Sequence, residues 1–344
     1  MSFNPRNILV IDFGQLGDVV MSLPALSAIR TRFPDARITV AAGKPSSEIV
    51  KLSGYADEII TVDRVALRDG FKPLSLLRIF QVVQDVRRRQ FDFVIDLHSF
   101  SETNLMGYLS GASKRLFARR PGRSWDFLAN FNPKPPIDRN DPDQHLVDRY
   151  LDVLKPLGIV DAPRIPKIKP GPRDYAAIDS LLRKAKAESG TPLVGLFPGA
   201  GHPGRCWPID RWAGLADFLI RNDDVRPLVF VGPEERAVAQ DLRRQFPPAS
   251  VFLEKLSIGE LAAAQSRLAV FVSNDTGPAH IAAAVGTPTV VLIFNRTTPH
   301  AYTPIAAVQH LIFSPTLLTI DVEEVYATTR TLLAAGRMAT LFES

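Results

Sequence analysis

Three segments of this 344-residue chain combine residue types that could do chemistry. The first is DFGQLGDVV, residues 12–20, where an apolar run ends in glycines and a helix starts near Asp18. Gly14 and Gly17 let the backbone turn sharply and let a ligand come close. The full GxGxxG spacing of a dinucleotide fingerprint is missing, so as a generic nucleotide motif the segment is weak. A carboxylate at a helix start is favoured by the helix dipole and by free backbone N–H groups. That setting predicts a low pKa, and hence an ionised Asp18 able to accept a proton. The same aspartate could also be a helix cap with no chemistry.

The second segment is LFPGAGHPGRCWPIDRWAGLADFL, 196–219. A strand ends at Pro198-Gly199, a flexible loop carries Arg205, and a helix follows Trp207-Pro208. An arginine on such a loop can hold a phosphate with a forked contact. Trp207 and Trp212 read as packing residues, and His202 as an ordinary loop histidine. The third segment is LAVFVSNDTGPAHIAAAVGTPTVVLI, 268–293. There a strand meets the loop Ser273-Asn274-Asp275-Thr276-Gly277. Pro278 suits the first position of a helix, where its missing N–H is not needed, and Gly286 ends that helix. Free N–H groups at its N-terminus make an anion site suited to a pyrophosphate. His280 falls in the first turn, facing the same mouth. An ordinary capped helix is the plainer alternative.

Other chemistries find little support. Six histidines are scattered without metal-ligand spacing, so no metal is expected. Asp141-Pro142-Asp143 reads as a turn. No G-x-S-x-G elbow exists, and Cys206 has no evident activating partner. As the sole cysteine, Cys206 also rules out an internal disulfide and fits a reducing compartment.

The elements that must position these segments alternate. Residues 7–12, 36–42, 57–62 and 91–97 read as strands, with helices over 18–33 and 75–89. A proline-rich stretch, 160–173, reads as a linker. Strands at 193–197, 226–231, 268–272 and 289–293 follow, with helices at 209–221, 233–246, 258–266 and 278–285 and a last helix over 320–336. Alternation throughout predicts two doubly wound α/β domains. The expected boundaries are 1–165 and 166–325, with a C-terminal helix, 326–344, that could pack back on the first domain.

The net charge is +5 and uneven: residues 1–170 hold 25 Lys/Arg against 19 Asp/Glu, the remainder 16 against 17. An acidic partner is therefore expected in the first half. The N-terminus lacks signal-peptide features and no apolar stretch is long enough to span a bilayer, so a cytoplasmic protein is expected. The basic pI raises nucleic-acid binding as an alternative, but no binding module or basic-aromatic stripe supports it.

Together, in this order, the segments resemble glycosyltransferase family 9, the ADP-heptose:lipopolysaccharide heptosyltransferases. ILVIDFGQLGDVVMSLPALSAIRTRFPDARITV is similar to its opening block and FVIDLHSFSETNLMGYLSGASKRLFA, 93–118, to its second. FPGAGHPGRCWPIDRWAGLA and VSNDTGPAHIAAAVGTPTVVLI resemble its nucleotide-sugar blocks. The resemblance implies a GT-B fold, with two Rossmann-like domains facing each other across a cleft. The first would bind the acceptor, the second the nucleotide sugar. It implies inverting transfer without a metal or other cofactor, from an ADP-sugar to a lipopolysaccharide core or related glycan. Asp18 falls on the family's catalytic base. Arg205 stands where a lysine usually contacts the donor phosphates. Ala200, Gly201, Asp275, Thr276, Gly277 and His280 fall on donor-binding loops, with Glu234 loosely at a nucleoside-binding acid. Gly17, Glu102, Arg119 and Arg120 fall on the acceptor side.

Three positions depart from the pattern: Phe197 replaces a common His, Asn295 a common Gly, and Glu102 a common Lys. A glutamate would repel an anionic acceptor. That leaves a second reading open, with another nucleotide sugar and a non-lipopolysaccharide acceptor. Arg115, Arg119, Arg120 and Arg123 could still meet an acidic acceptor or lipid headgroups, and so bring the protein to the inner membrane face.

Overall fold

The computed structural model describes residues 3–63, 73–187, 190–233, 239–294 and 300–342, with backbone alone at 73–80, 203 and 336–342. The chain divides into two compact units, Met1–Pro166 and Lys167–Ser344. The division falls inside the proline-rich stretch.

In the first unit, β1 (Asn7–Asp12), β2 (Arg37–Gly43), β3 (Glu58–Val62), β4 (Phe93–Asp96) and β5 (Lys114–Phe117) form a parallel sheet. Its order is β3-β2-β1-β4-β5. Ile8, Leu9, Val10 and Ile11 are all buried, as an unbroken apolar run must be in a sheet covered on both faces. The helices are α1 (Leu16–Arg32), α2 (Ser47–Ser53), α3 (Pro73–Arg88), α4 (Ser101–Leu109) and α5 (Leu146–Asp152). The chain winds outward from β1 to β3, then crosses to β4 on the other side of β1. Strand order thus reverses between β1 and β4. The loops leaving those two strands flank the crevice where open α/β sheets bind ligands.

The second unit holds β6 (Leu193–Phe197), β7 (Arg226–Val231), β8 (Val251–Glu254), β9 (Val270–Asn274), β10 (Thr289–Phe294) and β11 (Gln309–Ser314). They pair in parallel in the order β11-β10-β9-β6-β7-β8, so the reversal here lies between β6 and β9. Its helices are α6 (Pro172–Lys184), α7 (Ile209–Asp223), α8 (Ala239–Gln245), α9 (Ile258–Gln265), α10 (Gly277–Ala284) and α11 (Val322–Phe342). Gly195 on β6 is required by packing: a Cβ there would lie 2.4 Å from Leu268 Cδ1. Trp207 and Trp212 are fully buried and meet edge to face at 5.1 Å, as packing residues do. The C-terminal helix belongs to this unit. Val325 and Leu333 of α11 share a core with Trp212, Leu215 and Leu219 of α7. Among the described residues no helix is long and apolar enough to cross a membrane.

Candidate active site

In the first unit, β1 passes directly into α1 through Phe13, Gly14 and Gln15. A Cβ on Gly14 would fall 2.6 Å from Asp18 Cβ, so glycine is what lets the helix start so close to the strand end. Gly17 lies at the second helical position, half-buried. Asp18 is the third, and its Oδ2 accepts the Gln15 N–H at 3.0 Å. The capping role allowed by the sequence is therefore realised. Its other carboxylate oxygen has no hydrogen-bond partner among the described residues.

Burial pushes the Asp18 carboxyl above its usual range. The Gln15 N–H, His98 and Arg120 pull it down, and Asp12 pushes it further up. This corrects the low pKa expected from a helix start. The dipole and cap are present, but withdrawal from water outweighs them.

A buried polar network surrounds this carboxylate. Asp12 ends β1, accepts the Gly14 N–H at 3.0 Å and also accepts the Ser22 hydroxyl. His98 leaves β4 on the facing side of the strand reversal. Its Nδ1 lies 3.1 Å from the Tyr150 hydroxyl and 3.8 Å from Asp12 Oδ1, and Phe100 packs on its ring at 4.6 Å. Arg120 donates to the His98 carbonyl at 2.6 Å and to Asp138 Oδ2 at 3.1 Å. The His98 loop is fixed by Asp96, the last residue of β4. Asp96 accepts the Ser99 N–H at 2.7 Å and Asn104 Nδ2 at 2.8 Å. Those bonds hold Ser99 at a φ of +54°, a left-handed conformation that costs a non-glycine residue energy. Full burial pushes the Asp96 carboxyl up to about 7, against the bonds from Thr103, Ser99 and Asn104 and the Arg120 charge.

The other expected acceptor residues are placed differently from one another. Glu102 is exposed on the first turn of α4, where its carboxylate accepts the Ser101 hydroxyl at 3.0 Å. Arg119 is committed to Asp126 at 3.1 Å, and Arg115 to the carbonyls of Leu128 at 2.9 Å and Ala112 at 2.6 Å. Arg120 acts on the Asp18 environment, and Arg123 is exposed.

In the second unit the two candidate loops leave β6 and β9, the strands on either side of the reversal. Asn274 joins them. Fully buried, it donates Nδ2 to the carbonyls of Pro198 at 2.9 Å and Gly199 at 3.2 Å. Its Oδ1 accepts the Trp207 N–H at 3.1 Å. Between those anchors run Ala200 and Gly201, half-exposed and exposed, and then Arg205. The Arg205 guanidinium has no partner among the described residues.

Past Asn274, Asp275 and Thr276 lead into α10, whose N-cap is Thr276. Its Oγ1 is buried and makes no hydrogen bond among the described residues. A buried hydroxyl left without a partner carries a desolvation cost unless a ligand or water meets it. Gly277 opens the helix, and Pro278 follows without an N–H to lose. His280 is 5% exposed, within the helix rather than on an open mouth. Phe197 is 7% exposed and packs with Phe230 and Phe271, so its departure from histidine is absorbed by the core. Glu234 and Asn295 lie outside the described residues. The Ala279 N–H is spent on the Thr276 carbonyl at 3.1 Å, which leaves the Gly277 N–H at the start of α10. That amide, the Thr276 hydroxyl and an uncommitted arginine suit a diphosphate.

A sequence model described as glycosyltransferase family 9 (heptosyltransferase) matches residues 79–326. The chain belongs to glycosyltransferase family 9. It is a heptosyltransferase-like glycosyltransferase. Lipopolysaccharide heptosyltransferase 3 of Escherichia coli K12 is 25% identical over 293 residues, covering 82% of this chain and 80% of that protein. Among solved structures, a family 9 glycosyltransferase from Veillonella parvula has a TM-score of 0.85 at 23% identity, covering 97% of this chain and 99% of that one. An E. coli heptosyltransferase solved with ADP-2-deoxy-2-fluoro heptose has a TM-score of 0.74 at 20% identity, covering 94% and 99%. At those identities the structural likeness bears on the fold, which is of the GT-B type with two Rossmann-like units.

The matched span begins after Asp18, so the role of that residue rests on its geometry. The sequence singles out Asp18 but not Asp12, Asp96, His98 or Tyr150. A usable signal is present. Asp12 and Asp96 each end an otherwise apolar strand, and those are the strands on either side of the reversal.

Proposed function

We propose that this glycosyltransferase moves a heptose or similar sugar from an ADP-sugar to a hydroxyl of a lipopolysaccharide core or related surface glycan. Asp18 is the general base and the anomeric centre inverts. The observation that carries this reading is the half-satisfied Asp18 carboxylate. One oxygen is held by the Gln15 N–H at 3.0 Å and the other has no hydrogen-bond partner among the described residues. Its raised pKa brings its basicity closer to that needed at neutral pH.

The acceptor hydroxyl gives its proton to Asp18 as its oxygen bonds to the anomeric carbon. The bond from that carbon to the diphosphate breaks, and the electron pair leaves with the nucleoside diphosphate. One displacement gives inversion. The Gly277 amide, the Thr276 hydroxyl and Arg205 receive the charge that develops on the leaving group, commonly the largest catalytic contribution. In this reading they do so without a metal, in a protein working at the cytoplasmic side of the inner membrane.

The test is transfer from ADP-heptose to a core acceptor with EDTA present, followed by NMR of the anomeric configuration. Retention, or loss of turnover on chelation, would overturn the mechanism. A second reading is motivated by Glu102, exposed where α4 begins. It keeps the chemistry and changes the substrates. Thermal shift with ADP-, UDP-, GDP- and dTDP-sugars separates the two, and preference for a non-ADP nucleotide would select the second.

A further inference from the structure

The first unit carries an exposed aromatic patch that the transfer site does not use. Tyr108 and Leu105 lie three residues apart on α4, and so on one face of it; they are 48% and 40% exposed. Trp125 and Phe127, at the 3-10 turn Asp126–Leu128, are 45% and 72% exposed, with rings 6.3 Å apart. The two groups are tied together. The Trp125 N–H donates to Asn104 Oδ1 at 2.7 Å, next to Leu105. Arg115 donates to the Leu128 carbonyl at 2.9 Å while its guanidinium stacks 5.2 Å from the Tyr108 ring. These bonds fix the backbone on which the four side chains stand.

Its surroundings are basic. Arg115 lies against Tyr108, and exposed Arg123 lies two residues before Trp125. Arg119 and Asp126 pair at 3.1 Å, which leaves Glu102 as the uncompensated acid on α4. A monomeric protein seldom leaves four large apolar side chains together in water without a use. Trp and Tyr with a basic border is the composition that settles at a lipid-water interface. Arginine beside it meets anionic headgroups.

We propose that this patch seats the protein on an anionic bilayer surface. The inference rests on the glycolipid-acceptor reading only for its purpose. α4 begins directly after the His98 loop, so the docked face adjoins the loops that hold Asp18. A membrane-anchored acceptor would then present its sugar while its lipid stays in the bilayer.

The chain carries its own probe. Of its three tryptophans, Trp207 and Trp212 are fully buried in the second unit, so an emission change on binding reports Trp125. The experiment is flotation of the full chain with phosphatidylcholine vesicles, with and without phosphatidylglycerol, alongside tryptophan emission. Binding to the anionic vesicles with a blue shift is expected. The double variant Trp125→Ser/Phe127→Ser should lose about tenfold or more in partitioning. Arg123→Gln should lose roughly fivefold, an effect that salt erases. Both variants should keep the wild-type thermal shift with ADP-sugar, which reads the second unit. Three outcomes would overturn the proposal. One is no binding by the wild type, and another is binding that the double variant retains. The third is self-association or capture of a protein partner that the double variant abolishes while vesicle binding persists. Transfer to a delipidated acceptor in solution tests the reaction separately, so failure of the surface and failure of the transfer reading are distinguishable.

Discussion

Asp18→Asn and Asp18→Ala together separate chemistry from helix capping. An asparagine oxygen can still accept the Gln15 N–H now met at 3.0 Å, and the side chain has nearly the same volume. The start of α1 should survive. The alanine variant loses the acceptor, and loss of an N-terminal cap contact costs roughly 0.5–2 kcal/mol. In a unit of this size each kcal/mol moves the melting temperature by about 2–4 °C. The folded-state pKa of Asp18 is raised, so its ionisation opposes folding at neutral pH. The asparagine variant should therefore melt at or above the wild-type temperature at pH 7, and the alanine variant below the asparagine one. Removing a general base costs roughly 10²–10⁴ in rate. Both variants should lose at least that lower bound in single-turnover transfer while calorimetry finds unchanged ADP-sugar affinity. The wild-type rate should fall as pH drops through the raised Asp18 value, because the protonated acid cannot accept the proton. The residual rate of Asp18→Asn should lack that limb. An asparagine variant that kept more than about a tenth of the activity, well above the loss expected for a missing base, or kept the acidic limb, would refute the assignment.

The donor loops give a second pair of expectations. Thr276→Val removes a buried hydroxyl with no partner among the described residues, so stability should hold or rise. Donor affinity by calorimetry should fall about fivefold to tenfold, and unchanged affinity would exclude the hydroxyl from the donor site. Arg205→Ala should weaken donor binding by roughly 10–100-fold, as expected for losing a charge-assisted bond, with the loss reduced at high salt. Asp96 predicts a pH slope. Its folded pKa is about 7 against an ordinary 3.8. Its stabilising contribution is thus complete below about pH 4 and lost as pH rises toward 7, by as much as roughly 4 kcal/mol. Asp96→Asn sets an amide against Asn104 and should lower stability at acid pH. Thermal unfolding across pH 4–7 should find its slope flattened, and a slope equal to wild type would contradict the argument.

Much of the fold is legible because both sheets are built from buried parallel strands with unbroken apolar runs. NILVID, LVGLF and RPLVFV match β1, β6 and β7 to the residue. The strands that escape notice are β5, KRLF, β8, VFLE, and β11, QHLIFS. Each lies at a sheet edge, where exposure admits charged and polar residues and the apolar signal dilutes. Short helices such as α2 and α5 lack the length over which helical spacing becomes visible. At the site, Asp18, Arg205 and Thr276 are legible because loop glycines and a helix-start proline mark those loops. The Asp12–His98–Tyr150 network is not, since its members lie up to 138 positions apart (residues 12 to 150) and meet only when β1 and β4 pair. The direction of the Asp18 pKa is hidden for a related reason. Helix position is local information, whereas burial depends on the whole unit.

Asn274 carries one further consequence, for engineering. Its one amide group ties three backbone atoms drawn from both ends of the Pro198–Trp207 stretch to the end of β9. The two donor loops are thus not separable modules. A chimera that imports residues 198–207 from an enzyme with a different donor, but leaves position 274 unmatched, would bury an amide with no acceptors and cut the loop adrift. Grafts should therefore exchange both loops together, with their own residue at that position, and libraries that randomise one loop should hold Asn274 constant.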